Sequence, residues 1–165
     1  GLLVVAKTNM AHEALSEQLK ERKAMRKYWC IVNGNIKEDT GTVDKPIDRH
    51  PADRKRMAII EGGREAITHF TVLERFGAYT LVECALETGR THQIRVHMAS
   101  LGHSIVGDTV YGIKKDREKG KGQLLHAKTI GFSHPKTGEI MEFTSELPSH
   151  FMAALDKLKK GHTSL

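Results

Sequence analysis

Apolar and polar residues alternate with a period of two over two long stretches in the middle of the chain. The stretches are EAITHFTVLERF (65–76) and AYTLVECALET (78–88), and Gly77 separates them. Alternation of this kind puts apolar side chains on one face of a strand, so it predicts an antiparallel hairpin with one buried face. GQLLHAKTIGFSHP (122–135) and IMEFTSEL (140–147), joined by the turn PKTGE, predict a second hairpin.

Helical spacing of apolar residues appears near both ends of the chain. TNMAHEALSEQLKER (8–22) predicts an amphipathic helix with Thr8 as N-cap, and PSHFMAALDKLKK (148–160) predicts a closing helix with Pro148 near its start. Lysines in the last turn of the closing helix complement its dipole.

Three further segments complete the pattern. The opening GLLVVAKT (1–8) predicts a buried strand, and because such a strand rarely lacks a preceding element, we expect the chain to be part of something longer. RKYWCIVNG (26–34) predicts a strand that runs into a turn. TGTVDKPIDRHPADRKRMAII (40–60), here called the basic arm, is predicted to be loop-rich with short strands. The mixture favours an α+β fold with a mixed, mainly antiparallel sheet and flanking helices.

Composition narrows the function classes. The 165 residues fit one domain with a continuous core, and 26 basic against 20 acidic residues give a net charge of +6. A basic chain favours a polyanionic partner such as nucleic acid, although many housekeeping domains are equally basic. Cys30 and Cys84 are not in a C-x-x-C arrangement, so we expect buried free thiols. No apolar run reaches the ~18 residues of a membrane span and no signal peptide is visible, so a soluble, cytoplasmic protein is expected.

The segment GRTHQIRVHMASLG (89–102) concentrates candidate chemistry. Thr91 is predicted to cap a helix of about three turns that ends at Gly102. His92 and His97 are five residues apart, about 140° around a helix, so they do not share a face as zinc ligands on one helix must. No Cys or acidic residue stands at ligand spacing either, and we therefore expect no metal site.

Arg95 lies on a flank of this helix, one turn from His92. Its guanidinium could bind a carboxylate or phosphate in a functional site, or bridge to a nearby acid for stability, and the residues alone leave both open. Tyr28 alternates with Trp29 along a strand, which is equally typical of a core or surface aromatic. His126 between apolar residues favours a structural role.

Asp108 and Tyr111, in GDTVYG, are typical of a turn, in which an aspartate bonds nearby backbone groups.

Five strings together are more specific than any of these residues. They are, in chain order, GLLVVAKT, RKYWCIVNG, GREAITHFTVLERF, ETGRTHQIRVHMASLGHSIVGDTVYG and QLLHAKTIGFSHPKTGE. In this order and spacing, they resemble the RluA/RluD-type ribosomal RNA pseudouridine synthases over essentially the whole chain. The resemblance implies isomerisation of uridine to pseudouridine within RNA, a mainly antiparallel fold around a cleft, and no cofactor or metal. It also implies that residues 1–165 form the C-terminal part of a single catalytic domain.

The resemblance assigns roles to three residues. Tyr28 matches the tyrosine of the K-x-Y-x-A-x-V-x-G strand, expected to stack on the flipped-out base; Cys30 stands where the family usually has alanine. Arg95 matches the active-site arginine, expected to pair with the catalytic aspartate and keep it ionised. Leu125 is expected to form an apolar wall near the base. Charge, and no motif, makes Arg90, Arg54, Lys55 and Arg56 candidates for phosphate contacts.

The family's nucleophilic aspartate has no counterpart in this sequence. In the family it lies in a segment of the type H-R-L-D-x-x-T-S-G, immediately before the strand that continues LLVVAKT, and Gly1 matches the final glycine. Asp39, Asp44 and Asp48 belong to the basic arm region, and Asp108 belongs to a different turn. We therefore expect the chain alone to be inactive.

Two other function classes remain open. One is a non-catalytic RNA-binding module, whose RNA affinity would fall steeply with salt while no full-length form isomerises uridine. The other is a small hydrolase that uses its histidines, which requires a nucleophile beside one of them; no G-x-S-x-G or Cys-His pattern is present.

Overall fold

The computed structural model describes residues 1–119 and 122–165. The helices are α1 (Asn9–Lys20), α2 (Gln93–Ser100), α3 (Lys114–Lys119) and α4 (Ser149–Lys159). The strands are β1 (Met25–Asn33), β2 (Thr40–Asp44), β3 (Ile47–Arg49), β4 (Met57–Ile59), β5 (Ile67–Arg75), β6 (Tyr79–Leu86), β7 (Leu125–Ser133) and β8 (Ile140–Thr144).

Six strands form one sheet in the order β2-β5-β6-β1-β7-β8, and β3 and β4 form a separate pair. Every pairing between these strands is antiparallel. The α+β fold with a mainly antiparallel sheet is therefore confirmed. Both predicted hairpins are also present: β5 and β6 turn at Gly77, whose φ of +73° suits glycine, and β7 pairs with β8.

Successive residues of β1 pack on opposite faces of the sheet. Tyr28 and Cys30 belong to a core cluster that includes Ile94 and Met98 of α2. Trp29 and Ile31 belong to a second cluster, in which α4 contributes Phe151, Ala154, Leu155 and Leu158. The sheet therefore separates an α2 side from an α4 side.

A third, small cluster joins the basic arm to the α2 side. Three residues are buried together: Ile47 of β3, Val96 of α2, and Ala66, which precedes β5. Met57 of β4 packs against them. The short strands expected in the arm are confirmed as the β3–β4 pair.

The predicted terminal helices form as expected. Thr8 caps α1, because its Oγ1 accepts a hydrogen bond from the Ala11 backbone N–H at 3.1 Å. Pro148 is the N-cap residue of α4, and Lys157 and Lys159 lie in its last turn. Within the described residues, no helix combines the length and apolar character that crossing a membrane requires.

The prediction of a buried strand at residues 1–8 is wrong. Residues 1–7 form no regular element, and Leu3 and Val5 are 85% and 73% exposed. The Leu2 N–H donates to the Ala127 carbonyl at 3.0 Å, but the repeated bonds of a strand ladder do not follow. Apolar content favoured a strand here, whereas a strand also needs a neighbour along its whole length.

Candidate active site

A cleft of about 350 Å³ opens on the α2 side of the sheet. Four predicted site residues line it together: Tyr28 of β1, Arg90 and Arg95 around the start of α2, and Leu125 of β7. The other lining residues are Leu86, His92, Gln93, Ile94 and Gln123. Arg54, Lys55 and Arg56, in the turn between β3 and β4, are not among them.

Strand pairing brings Tyr28 and Leu125 to the same place. β1 is a central strand between β6 and β7, and Cys30 lies opposite Leu125 while Tyr28 lies opposite Ala127. Tyr28 and Leu125 both pack against the α2-side core cluster. An aromatic ring and an aliphatic side chain, about 100 residues apart in the sequence, thus form one apolar wall.

Helix α2 begins one residue later than the predicted cap implies. Its N-cap is His92 and not Thr91, and His92 has a left-handed backbone with φ +57° and ψ +20°. The prediction of a threonine cap is wrong, because the Gln93 side chain bonds the segment just before the helix: its Oε1 accepts the Arg90 N–H at 2.9 Å. The predicted stop is confirmed, since Gly102 follows the helix with φ +81°.

Buried hydrogen bonds fix α2 to strand β5. The Gln93 Nε2 donates to the Ile67 carbonyl and to the Thr68 Oγ1, both at 3.0 Å, and the Thr88 Oγ1 donates to the Gln93 Oε1 at 2.9 Å. His97 contacts the Thr68 Oγ1 through Nδ1 and donates from Nε2 to the Lys45 carbonyl. These polar groups are satisfied by specific partners, so they define the position of the helix and of Arg95.

Arg95 forms a bidentate ion pair with Asp108. The Arg95 Nε and Nη2 donate to the two Asp108 carboxylate oxygens at 2.7 and 2.9 Å. The Asp108 Oδ1 also accepts the Val110 and Tyr111 N–H groups at 2.9 Å, which confirms its predicted turn role. Burial alone would raise the pKa of Asp108, but the bonds from Arg95 and the two N–H groups outweigh it and lower that pKa.

The ion pair leaves part of Arg95 available to the cleft. Its Nη1 has no hydrogen-bond partner among the residues that the structure describes, and the side chain is 11% exposed. Its guanidinium also lies 5.0 Å from the centre of the Tyr111 ring. Asp108 and Tyr111 therefore hold Arg95 in one orientation while one amino group stays uncommitted.

Arginines surround the cleft near Arg90. Burial and the charges of Arg64 and Arg22 lower the pKa of Arg90, although Glu65 opposes this shift. Burial, followed by the charge of Arg90, lowers the pKa of Arg26. Guanidinium groups stay protonated, so Arg90 places positive charge at the rim, whereas Arg22 is paired with Glu65 and Glu87.

The basic arm is linked to the cleft through Tyr111. Arg54 and Lys55 are exposed, and the guanidinium of Arg56 lies 5.5 Å from the centre of the Tyr111 ring, on which Arg95 also packs. The Met57 N–H donates to the Tyr111 Oη at 2.8 Å. The arm thus places exposed basic side chains beside the cleft without lining it.

Among the described residues, three histidines contact a serine or threonine hydroxyl: His69 contacts Thr42, His97 contacts Thr68, and His126 contacts Ser145. Of these, only His126 stands beside a serine. The His126 Nε2 lies 2.7 Å from the Ser145 Oγ. That hydroxyl donates its proton to the Ala127 carbonyl at 3.0 Å, so it accepts from His126 and the pair is not arranged as base and nucleophile. Within the described part of the chain, no group of three or more His, Cys, Asp or Glu side chains could hold a metal ion.

Sequence reasoning missed two residues at this site. Asp108 was assigned to a turn only, although it is the partner of Arg95, and Tyr111 joins Arg95, His92 and the arm. Neither pairing follows a helical or strand period, because Asp108 lies in a loop 13 residues after Arg95. The expected buried free thiols, Cys30 and Cys84, are confirmed.

Comparison with known proteins agrees with this architecture. Residues 1–100 match the family described as RNA pseudouridylate synthase. An uncharacterized RNA pseudouridine synthase of Bacillus subtilis is 51% identical over 161 residues, covering 98% of this chain and 53% of the relative. The ribosomal large subunit pseudouridine synthase D of Xanthomonas campestris is 45% identical, covering 97% of this chain and 52% of the relative.

A solved structure gives the same result at the level of the fold. Human RNA pseudouridylate synthase domain containing 1 is 31% identical with a TM-score of 0.76, covering 93% of this chain and 66% of that chain. The chain thus spans about half the length of the curated relatives it matches. On the family match and these identities, the chain belongs to the RNA pseudouridylate synthase family.

Proposed function

We propose that the full-length protein isomerises uridine to pseudouridine in RNA, and that residues 1–165 are the C-terminal part of its catalytic domain. The observation that carries the proposal is the cleft in which Tyr28, Arg95 and Leu125 meet. The reaction breaks the bond between N1 of the base and the ribose, and rejoins the base through C5, which loses its proton while N1 gains one. Solvent can exchange these protons, so the reaction needs no oxidant or reductant.

Tyr28 and Leu125 provide an apolar surface for the base. A base inside an RNA helix must be unstacked before it can react, at a cost of a few kcal/mol. Stacking on an aromatic side chain is worth about 1–3 kcal/mol per base, which offsets part of this cost. The side chain of Leu125 limits the space opposite the ring and keeps water away from the base.

Arg95 is proposed to hold the nucleophilic aspartate. Asp108 occupies the Nε and Nη2 edge, so the Nη1 group remains for a second carboxylate. A guanidinium beside an aspartate lowers its pKa and keeps it ionised for nucleophilic attack. We propose that this aspartate lies outside the present sequence, in the full-length protein, and that the 165-residue chain alone forms no pseudouridine.

Ribosomal RNA is the proposed substrate. Relatives 42–46% identical to the chain carry the name ribosomal large subunit pseudouridine synthase D. Arg90 at the rim, with Arg54, Lys55 and Arg56 in the arm, would contact backbone phosphates on either side of the target nucleotide. A ribosomal substrate would place the protein in the cytoplasm.

The test is to map pseudouridine in ribosomal RNA from a strain that lacks the gene and from strains complemented with variants. Wild-type protein should restore a missing pseudouridine, whereas Arg95→Ala and Tyr28→Ala should not. Arg75→Ala is a matched control, because Arg75 also pairs with an aspartate, Asp39, but does not line the cleft. It should restore the modification.

Unchanged modification by the Arg95→Ala variant would refute the role of Arg95. If the wild-type protein restores no pseudouridine but binds RNA with an affinity that falls steeply with salt, the protein is a non-catalytic RNA-binding module. Turnover of a model RNA by the 165-residue chain alone would refute the proposal that an aspartate outside it is needed.

A further inference from the structure

His92 combines an unfavourable backbone with a position in the cleft. Its φ of +57° lies in the left-handed region, which residues with a Cβ atom rarely occupy. Its side chain forms no hydrogen bond to the first turn of α2, so helix capping does not account for the residue. Strain that persists at a cleft points to a functional requirement.

The hydrogen bonds of Tyr111 determine which nitrogen of His92 carries the proton. The Tyr111 Oη accepts the Met57 N–H at 2.8 Å and lies 2.9 Å from the His92 Nδ1. Among the described residues, the tyrosine hydroxyl has no acceptor for its own proton except His92 Nδ1. With Nδ1 as the acceptor, the hydroxyl proton has a partner, and in this tautomer the proton of the neutral ring is on Nε2.

The Nε2–H group is available for a ligand. It bonds to no residue that the structure describes, and the ring is held edge-on to Tyr111 with centroids 5.6 Å apart. The charged groups that act on His92 are Arg95 and Asp108. On the side of Tyr111, Arg56 packs against the tyrosine ring. Burial and then the charge of Arg95 lower the pKa of His92, while Asp108 opposes this, so the neutral form is favoured.

We infer that His92 is a substrate-binding residue whose Nε2–H donates a hydrogen bond to a carbonyl oxygen of the uracil base. This inference rests on the proposed function. Arg90 and Arg95 are stronger partners for phosphate, since each carries a full charge. An uncharged donor fits a carbonyl oxygen, and Tyr28 across the cleft offers the surface on which that base would stack.

The first experiment is nitrogen NMR of the full-length protein labelled with ¹⁵N at histidine, in which the His92→Asn variant assigns the His92 signals. In the free protein, Nε2 should be protonated and Nδ1 unprotonated. Uridine 5′-monophosphate should shift the Nε2 signal, and ribose 5-phosphate, which lacks the base, should not. Three results would overturn the inference: a ring protonated at Nδ1, no shift with either probe, or an equal shift with both. The last result would indicate a phosphate contact.

The second experiment compares two variants that both accept a positive φ. His92→Gly removes the donor, whereas His92→Asn retains an N–H donor and is the most tolerant ordinary residue in this conformation. In single-turnover reactions on unmodified ribosomal RNA, we expect His92→Gly to be about tenfold slower, the effect of one lost hydrogen bond, and His92→Asn to keep most of the rate. Both thermal midpoints should stay close to that of the wild type.

Equal rates for the wild type and both variants would overturn the inference. So would equally large losses in both variants with normal thermal midpoints, because the ring and not the donor would then matter. If the wild type forms no pseudouridine, the proposed function fails, while the NMR experiment still tests whether His92 binds the base.

Discussion

The two faces of the central sheet are built from different kinds of side chain. On the α4 side, the buried cluster around Phe151 consists of apolar residues from β1, β6 and α4 together with Tyr79 and the loop residues Val106 and Leu124. Two buried polar residues, Asp116 and His126, lie beside it, each 5% exposed. On the α2 side, the apolar cluster is accompanied by Thr68, Gln93, His97 and Asp108, polar residues that are at most 2% exposed. One strand, β1, serves both faces with alternate residues.

The two faces therefore contribute differently: apolar packing on the α4 side stabilises the fold, whereas the polar groups of the α2 side also fix the orientation of side chains. Apolar burial is non-directional, so the α4 side tolerates any packing that fills the same volume. A buried polar group must meet a partner at a defined distance and angle, or it costs free energy. The α2 side therefore fixes α2 and Arg95 in one arrangement, and the cleft that Arg95 lines is on that side.

Asp108→Ala should have the largest effect. It leaves the buried Arg95 guanidinium without its partner and removes the acceptor of the Val110 and Tyr111 N–H groups. Breaking such a pair costs about 3–5 kcal/mol of the free energy of unfolding. We also expect at least about a hundredfold loss of pseudouridine formation, because Arg95 loses its orientation. Urea unfolding and single-turnover rates of the full-length protein measure both; a normal rate in the folded variant would contradict the role of the pair.

Phe151→Ala should cost similar stability without the loss of chemistry. Phe151 is fully buried at the centre of the α4-side cluster. Truncation of a buried phenylalanine costs about 3–5 kcal/mol, since a cavity remains. At a temperature where the variant is folded, its rate should stay within about threefold of the wild type, because the cleft is on the other face. A loss as large as that of Asp108→Ala would mean that the two faces are coupled.

The two hairpins were predictable from sequence because each pairs adjacent segments with one buried face. Period-two alternation is then visible in a single stretch, and Gly77 marks the reversal. Residues 1–7 are more apolar than either hairpin, but whether they form a strand depends on a neighbouring strand, which composition does not report. The cap at His92 was mispredicted for a similar reason, since the Gln93 side chain bonds both the Arg90 N–H before the helix and strand β5.

The site was predictable only in part. Tyr28, Arg95 and Leu125 were assigned by resemblance to a family, and the structure places them in one cleft, but no local pattern connects them. Their meeting depends on the pairing of β1 with β7, which are separated by most of the chain. Asp108 reaches Arg95 from an irregular loop, where hydrogen-bond partners follow from tertiary packing and not from residue spacing.

The smallest expected effect is the contribution of His97, on the α2 side, to the pH dependence of stability. Burial lowers the pKa of His97, with a further lowering by Lys45 that the Lys45 carbonyl bond and Asp44 oppose. Because the folded pKa lies below the unfolded value of about 6.5, the contribution of His97 to stability is fully present above that pH. It is lost as the pH falls through the folded pKa, at no more than about 1.4 kcal/mol per pH unit. His97→Gln should flatten the dependence of the urea midpoint on pH below about 6.5, whereas His12→Gln, at an exposed position of α1, should not. If His97→Gln leaves the slope unchanged, His97 is not the titrating group, and the pH dependence would have to come from another buried histidine such as His126, whose pKa burial also lowers.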